Sequence, residues 1–175
     1  MSTVVGLKYN DEIWIGADSL ASTDDGDIRP LKGKKIFRNG PYLFGFIGSV
    51  RGGQILQPDY FEPPKKIEEL PDAIIDQCEE KGCLITTDDQ RSAHGCNFVV
   101  GYKGRLFEIL IDFQLNEIDD YTAVGAGSTY AIGSFYTSEN IEGVKLSPEE
   151  RVMLALKAAS TFNSCTGGDL IVEKL

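Results

Sequence analysis

No stretch of this chain approaches the roughly 18 consecutive apolar residues that a membrane span needs, so the sequence offers no transmembrane helix. The N-terminus has no basic region followed by an apolar stretch and a small-residue cleavage site, and cytoplasmic residence is the expectation. Cations are scarce as well: 17 Lys and Arg stand against 27 Asp and Glu, a formal net charge of −10. Sequence-independent binding to nucleic acid or to an anionic membrane needs clustered cations, so neither partner is expected. Metal, nucleotide and flavin motifs are absent, and no cofactor is expected. There are only four cysteines, Cys78, Cys83, Cys96 and Cys165. Without an export signal they read as reduced thiols rather than as a disulfide framework. Cys78, Cys83, His94 and Cys96 match no compact zinc spacing, and Cys78 falls in a helical pattern, so no metal site is expected.

What is present is ordinary for a globular domain: 175 residues, 42% hydrophobic and 25% charged. A chain of this size buries enough surface to fold as one domain, residues 1–175, without disulfides or metals. No repeat, linker or low-complexity segment divides it. Ser2 to Tyr9 and Glu12 to Asp18, joined by Asn10-Asp11, predict a hairpin. Ala21 to Gly33, with Asp24, Asp25, Gly26, Asp27 and Pro30, predicts a polar loop. Strands follow at Lys35 to Arg38 and Tyr42 to Gly48, then a short helix from Ser49 to Leu56. Ile67 to Lys81 has helical spacing, with Pro71 interrupting it near its start. Asn97 to Tyr102 and Arg105 to Asp112 flank Lys103-Gly104 as a second hairpin. Tyr121 to Val124 is a short strand, and a helix follows from Thr129 to about Ser138. Ser147-Pro148-Glu149-Glu150 is a strong helix start, with a serine cap, proline at the first helical position and Glu150 completing a capping box. That helix runs to Phe162, and Asp169 to Val172 forms a last strand. The order of elements predicts an α+β domain with helices covering its sheets.

The chemistry points to the first residues. If Met1 is removed, Ser2 carries a hydroxyl nucleophile and, on its own α-nitrogen, a general base. A serine hydroxyl needs an adjacent base to attack at neutral pH. A free α-amine, with a reference pKa of about 7.7–8.0, is partly neutral there. Taken alone, Ser2 has a plainer reading as the start of an edge strand.

Six segments together carry a resemblance: Ser2-Thr3-Val4-Val5-Gly6, Gly16-Ala17-Asp18, Gly33-Lys34-Lys35-Ile36-Phe37, Phe46-Ile47-Gly48-Ser49-Val50, Gly125-Ala126-Gly127-Ser128-Thr129-Tyr130-Ala131 and Thr166-Gly167-Gly168. In this order and at these separations the chain resembles the proteasome β-subunit family of N-terminal-nucleophile hydrolases, including the peptidase subunit of bacterial HslUV. The resemblance implies a four-layer αββα sandwich, subunits assembled into homo-oligomeric rings, and cleavage of peptide or unfolded-protein substrates, with an ATP-dependent unfoldase as a partner. It implies Ser2, Asp18, Lys35 and Gly48 as the catalytic set. Lys35 would hold the amine neutral and lower the proton affinity of the hydroxyl. Asp18 would fix Lys35, and the N–H of Gly48 would face the developing oxyanion. Phe46 and Ser22 would contact substrate, with Thr3, Asn163 and Thr166 supporting the site from behind. Each has a plainer alternative: Lys35 an exposed strand lysine, Asp18 a turn cap, Gly48 a tight strand exit, Phe46 a core aromatic.

The chain departs from the family pattern at several positions. The family begins with threonine where this chain has Ser2. Leu20 replaces an arginine, Ala126 a serine and Asn163 an aspartate, while Thr166 stands for a serine. Three functions compete. One is an N-terminal-nucleophile peptidase. The second is a catalytically inactive structural or interaction protein that keeps the fold and retains Met1. The third is an amidase of the same class acting on a small molecule.

Overall fold

Alternation along the first strand decides the layering. In the computed structural model, which describes residues 2–22, 28–30, 33–86, 91–92 and 95–175, β1 (Thr3–Tyr9) sends Val4 to one side and Val5 and Leu7 to the other. All three are buried, so this strand must lie in a sheet covered on both faces. Asn10, with φ +56°, turns the chain into β2 (Glu12–Asp18), and the pair is antiparallel with Val4 opposite Ala17. The hairpin expected here is present.

The strands that follow are β3 (Leu20–Ser22), β4 (Ile28–Pro30), β5 (Ile36–Asn39) and β6 (Tyr42–Ile47). The helices α1 (Val50–Gln54) and α2 (Leu70–Glu80) come next. The rest of the chain forms β7 (Ile85–Thr86), β8 (Arg91–Ser92), β9 (Asn97–Tyr102), β10 (Arg105–Ile109), β11 (Leu115–Ile118), β12 (Tyr121–Gly125), α3 (Ser128–Asn140), α4 (Pro148–Phe162) and β13 (Leu170–Lys174). One antiparallel sheet has the order β12-β1-β2-β13 and the other β11-β10-β9-β6-β5.

Three apolar layers hold these parts together. Between the sheets, Val4, Ile13 and Ile15 meet Leu43, Val99 and Leu106. Outside the first sheet, Val5 and Leu7 pack under Ala131, Phe135, Val152 and Leu156 of α3 and α4. Outside the second, Phe44, Phe98 and Val100 pack under Leu70, Ile74 and Cys78 of α2. The result is the αββα sandwich that the resemblance implies. Cys78, Cys83 and Cys96 are free and buried in this last layer. Burial pushes the thiols of Cys78 and Cys96 up to about 12, so they serve as protonated apolar filler. His94 lies outside the described residues, among which no group of three or more ligating side chains is arranged to hold a metal. No helix among them is long and apolar enough to cross a membrane.

Several expectations need revision. The polar loop from Ala21 to Gly33 contains a ribbon, with Leu20 opposite Pro30 and Ser22 opposite Ile28. Backbone pairing of this kind needs no alternating apolar face, so composition hides it. The helix expected from Ile67 begins at Leu70, after one 3₁₀ turn at Ile67–Glu69, with Pro71 in its first turn. Proline lacks an N–H and presets its φ, which suits that place. The strand expected to reach Asp112 stops at Ile109, and a turn with Phe113 at φ +64° returns the chain as β11. Arg105 holds that edge through a bidentate pair to Glu117, at 2.8 and 2.6 Å. The capping box at Ser147 and Glu150 forms as expected.

The sheets approach closely where glycine leaves room. A Cβ on Gly45 would stand 2.6 Å from Val4 Cγ1 and 2.8 Å from Ile15 Cγ2. Gly45→Val is therefore expected to destabilise the fold by about 1–3 kcal/mol, an overpacking cost that urea unfolding would detect as a lower midpoint.

Candidate active site

Antiparallel pairing brings the start of β1 beside the end of β2, and the facing sheet supplies a cation above both. Thr3 donates its backbone N–H to Asp18 Oδ1 at 2.9 Å, tying the chain just after Ser2 to the last residue of β2. Lys35, immediately before β5 in the other sheet, reaches across to this corner. Its Nζ lies 2.6 Å from Ser2 Oγ and 2.8 Å from Asp18 Oδ1, and it also donates to the carbonyl oxygen of Leu20. An ammonium has three donors, and all three are used. Ser2 Oγ in turn donates to Leu20 O at 3.2 Å. The strand expected to start at Lys35 starts at Ile36, although the Lys35 carbonyl still accepts from the N–H of Phe46 on β6 at 3.0 Å. Lys34 points elsewhere, pairing on the surface with Glu173 at 3.3 Å.

The ion pair is almost fully enclosed: the side chains of Lys35 and Asp18 are 5% and 0% exposed. Burial lowers the pKa of Lys35, and the hydrogen bond and charge of Asp18 oppose that shift. Asp18 is held on both oxygens, since Oδ2 accepts from the N–H of Gly167 at 3.0 Å. The arrangement can polarise a hydroxyl. A cation 2.6 Å from Ser2 Oγ stabilises negative charge as it develops there.

Behind Ser2, Thr3 Oγ1 lies 2.6 Å from Thr166 Oγ1 and accepts from the N–H of Gly127 at 2.9 Å. Ala126 donates its N–H to the Ser2 carbonyl at 2.9 Å. Asn163 donates to Ala126 O at 2.9 Å and accepts from Cys165 N at 2.9 Å, so its carboxamide braces two turns. Close backbone approach explains Gly125: at φ +103°, a Cβ there would stand 2.0 Å from Ser2 O. Gly48 has φ +98°, directly after β6, where a Cβ would collide with Gly95 O at 2.3 Å. Phe46 is buried among core aromatics, its ring against the open side of Gly53. The side chain of Ser22 lies outside the described residues.

Structural comparison places the fold of the chain among solved ones. A structure of BPH from Thiobacillus denitrificans superposes with a TM-score of 0.84 at 23% identity, covering 99% of this chain and 97% of that one. BPH from the same organism in complex with epoxomicin gives 0.83 at 22%, with the same coverage. A eukaryotic HslV from Trypanosoma brucei gives 0.73 at 18%, covering 99% and 98%. The chain has a proteasome β-subunit/HslV-like fold. No family model matches the sequence, and no curated protein matches it.

Within this proteasome-like fold, two participants escaped the sequence reading. The Leu20 carbonyl accepts from both Lys35 and Ser2, and a backbone oxygen leaves no trace in residue type. The Gly167 amide holds Asp18; its only signal was the glycine pair at 167–168. A cavity of about 630 Å³ in the proteasome-like fold lies away from this corner, on the outer face between α3 and α4.

Removing the cation would strand Asp18 as a buried charge. Lys35→Met is expected to cost about 3–5 kcal/mol of unfolding free energy, measured by chemical denaturation. A cost within about 0.5 kcal/mol of zero would contradict the electrostatics described here.

Proposed function

We propose that the chain is a proteasome/HslV-like peptidase subunit whose nucleophile is Ser2, exposed by removal of Met1. The observation that carries this reading is the 2.6 Å approach of the buried Lys35 ammonium to Ser2 Oγ. A structural role alone gives no reason to bury a lysine against a serine hydroxyl and an aspartate at the first strand of the chain.

The reaction follows from the groups at hand. Ser2 Oγ attacks the scissile carbonyl carbon while its proton passes to the Ser2 α-amine. The carbonyl oxygen takes the electron pair and meets the N–H of Gly48. Collapse breaks the C–N bond, and the leaving amine takes the proton from the α-ammonium. The acyl group is then an ester on Oγ. The neutral amine takes a proton from water, hydroxide attacks the ester, and Ser2 Oγ leaves with that proton. Lys35 does not exchange protons in this scheme. Its positive charge lowers the proton affinity of both the amine and the hydroxyl, and Asp18 keeps it in place.

The subunit would act inside a homo-oligomeric ring, with an ATP-dependent unfoldase delivering folded substrates. Alone it would cut short or unfolded peptides. The reading gains support from the epoxomicin complex of the similarly folded BPH. A second reading, an inactive building block that keeps Met1, is favoured by Ala126, whose methyl group offers no polar atom near Ser2.

Intact mass of the untagged protein separates the two, since the peptidase requires loss of one methionine. Ser2→Ala is expected to reduce hydrolysis of fluorogenic peptides by ~10³-fold or more while leaving the assembled size unchanged. Epoxomicin is expected to inhibit the wild type. Full activity in Ser2→Ala would end the proposal. In wild type, kcat/KM is expected to rise with pH as the α-amine loses its proton, with a midpoint below the reference of about 8 because Lys35 is close. A profile flat from acid to alkaline pH would exclude the amine as base.

A further inference from the structure

The layer under α2 holds a thiol that the mechanism does not use. Cys96 is 1% exposed, and its thiol donates to the carbonyl oxygen of Ser49 across 3.3 Å. Burial keeps that thiol protonated, so the donor is present at neutral pH. Cys96 directly precedes β9, and Ser49 directly follows Gly48, the residue whose N–H is assigned to the oxyanion.

The Gly48–Ser49 turn is weakly determined by its own residues. Glycine at φ +98° has wide conformational freedom. The helix that follows, α1, has five residues, two of them glycine, and each glycine in a helix costs about 1 kcal/mol relative to alanine. Ser49 caps that helix, its carbonyl accepting the N–H of Gly53 at 3.3 Å and its hydroxyl that of Gly52. The turn therefore takes its place from the neighbouring segment 95–97. Ile47 pairs with Asn97 in the ladder, the main chain of Gly48 lies against Gly95 O and Cys96 Cα, and Ser49 is tied to the Cys96 thiol. Gly48 is thus fastened on both sides to one piece of backbone. The same end of β6 borders the Ser2 corner. Phe46 donates its N–H to Lys35 O at 3.0 Å, and Ile47 Cγ2 lies 3.3 Å from the point where a Cβ on Gly125 would stand, itself 2.0 Å from the Ser2 carbonyl oxygen.

Resting on the proposed role of the Gly48 N–H, we infer that Cys96 is a positioning residue for the oxyanion donor. Its thiol holds the Ser49 carbonyl and so keeps Gly48 seated where the carbonyl oxygen of the substrate becomes negative. An oxyanion donor works by being fixed before the charge appears, so a loosened Gly48 weakens binding of the transition state and leaves binding of the ground state as it was.

The test compares two inhibitors of Met1-processed, full-length protein, a peptide aldehyde and the peptide alcohol of the same sequence. Ser2 Oγ adds to the aldehyde carbon, its proton passes to the α-amine, and the carbonyl electron pair moves to the oxygen that meets Gly48. The alcohol cannot form this adduct. Cys96→Ala and Cys96→Val both lack the donor, one leaving space and the other filling it. Deleting an oxyanion donor outright costs about 10²–10³-fold in kcat, so displacing one is expected to cost about 3- to 10-fold, with KM unchanged. Aldehyde affinity is expected to fall by the same factor, and alcohol affinity to stay within about twofold of wild type. Cys78→Ala truncates another buried thiol of the same layer and is expected to leave kcat and both affinities unchanged. Either Cys96 variant carries the test if the other does not fold. Unchanged kcat and aldehyde affinity, equal losses for aldehyde and alcohol, or the same loss in Cys78→Ala overturns the role of Cys96 and leaves the proposed function standing. An aldehyde that binds the wild type no better than the alcohol removes both.

Discussion

The corner holding Ser2 depends on one buried ion pair, Lys35 with Asp18. Two charges taken out of water lose several kcal/mol of hydration each, and their attraction repays this only when the remaining donors and acceptors are also satisfied. Here they are. The ammonium donates to Asp18, Ser2 and Leu20, and the carboxylate accepts from Lys35 and from the amides of Thr3 and Gly167. The pair therefore fastens four separate pieces of chain: the first residues of β1, the end of β2, the approach to β5 in the opposite sheet, and the turn before β13. An apolar pair of similar volume would fill the space but take these partners from the Thr3 and Gly167 amides, the Leu20 carbonyl and Ser2 Oγ.

Ser2, immediately before a central strand, is held more firmly than a residue on a loop. β1 lies between β12 and β2, so pairing constrains it on both sides. The close backbone contacts at Gly125 and Gly127 bring the β12 turn against Ser2 and Thr3, leaving no room for a Cβ at either place. Only backbone and small groups surround the site on that side. The polar shell is then built by reach from farther elements, Thr166 from one end of the chain and Asn163 from the C-terminal end of α4.

Much of this was legible in the sequence, for local reasons. The β-branched run of the first hairpin, the Asn10 turn and the capping box of α4 act through their own neighbours. Their elements appear where residue type puts them. The segments that were misread lack such signals. The ribbon at β3 and β4 pairs backbone without an apolar alternation, and β11 is a short edge strand held partly by an Arg105–Glu117 contact between strands. At the candidate site, residue type pointed to Ser2, Asp18 and Lys35, and the resemblance supplied their grouping. It could not point to the Leu20 carbonyl or the Gly167 amide, since these depend on where backbone groups end up.

The sequence by itself determined the class of fold, through strand and helix patterns that need two covered sheets, and it determined which residues could supply a hydroxyl, a cation and a carboxylate. Only the tertiary structure decided that these three meet. Lys35 sits 33 residues from Ser2 along the chain and belongs to the opposite sheet, so its 2.6 Å contact exists only because the two sheets pack face to face. Packing at that range is set by side chains such as Val4, Ile15 and Val99 filling the space between sheets, and by Gly45 leaving it open. No local pattern encodes such a distance, because it is a property of how the layers close on one another.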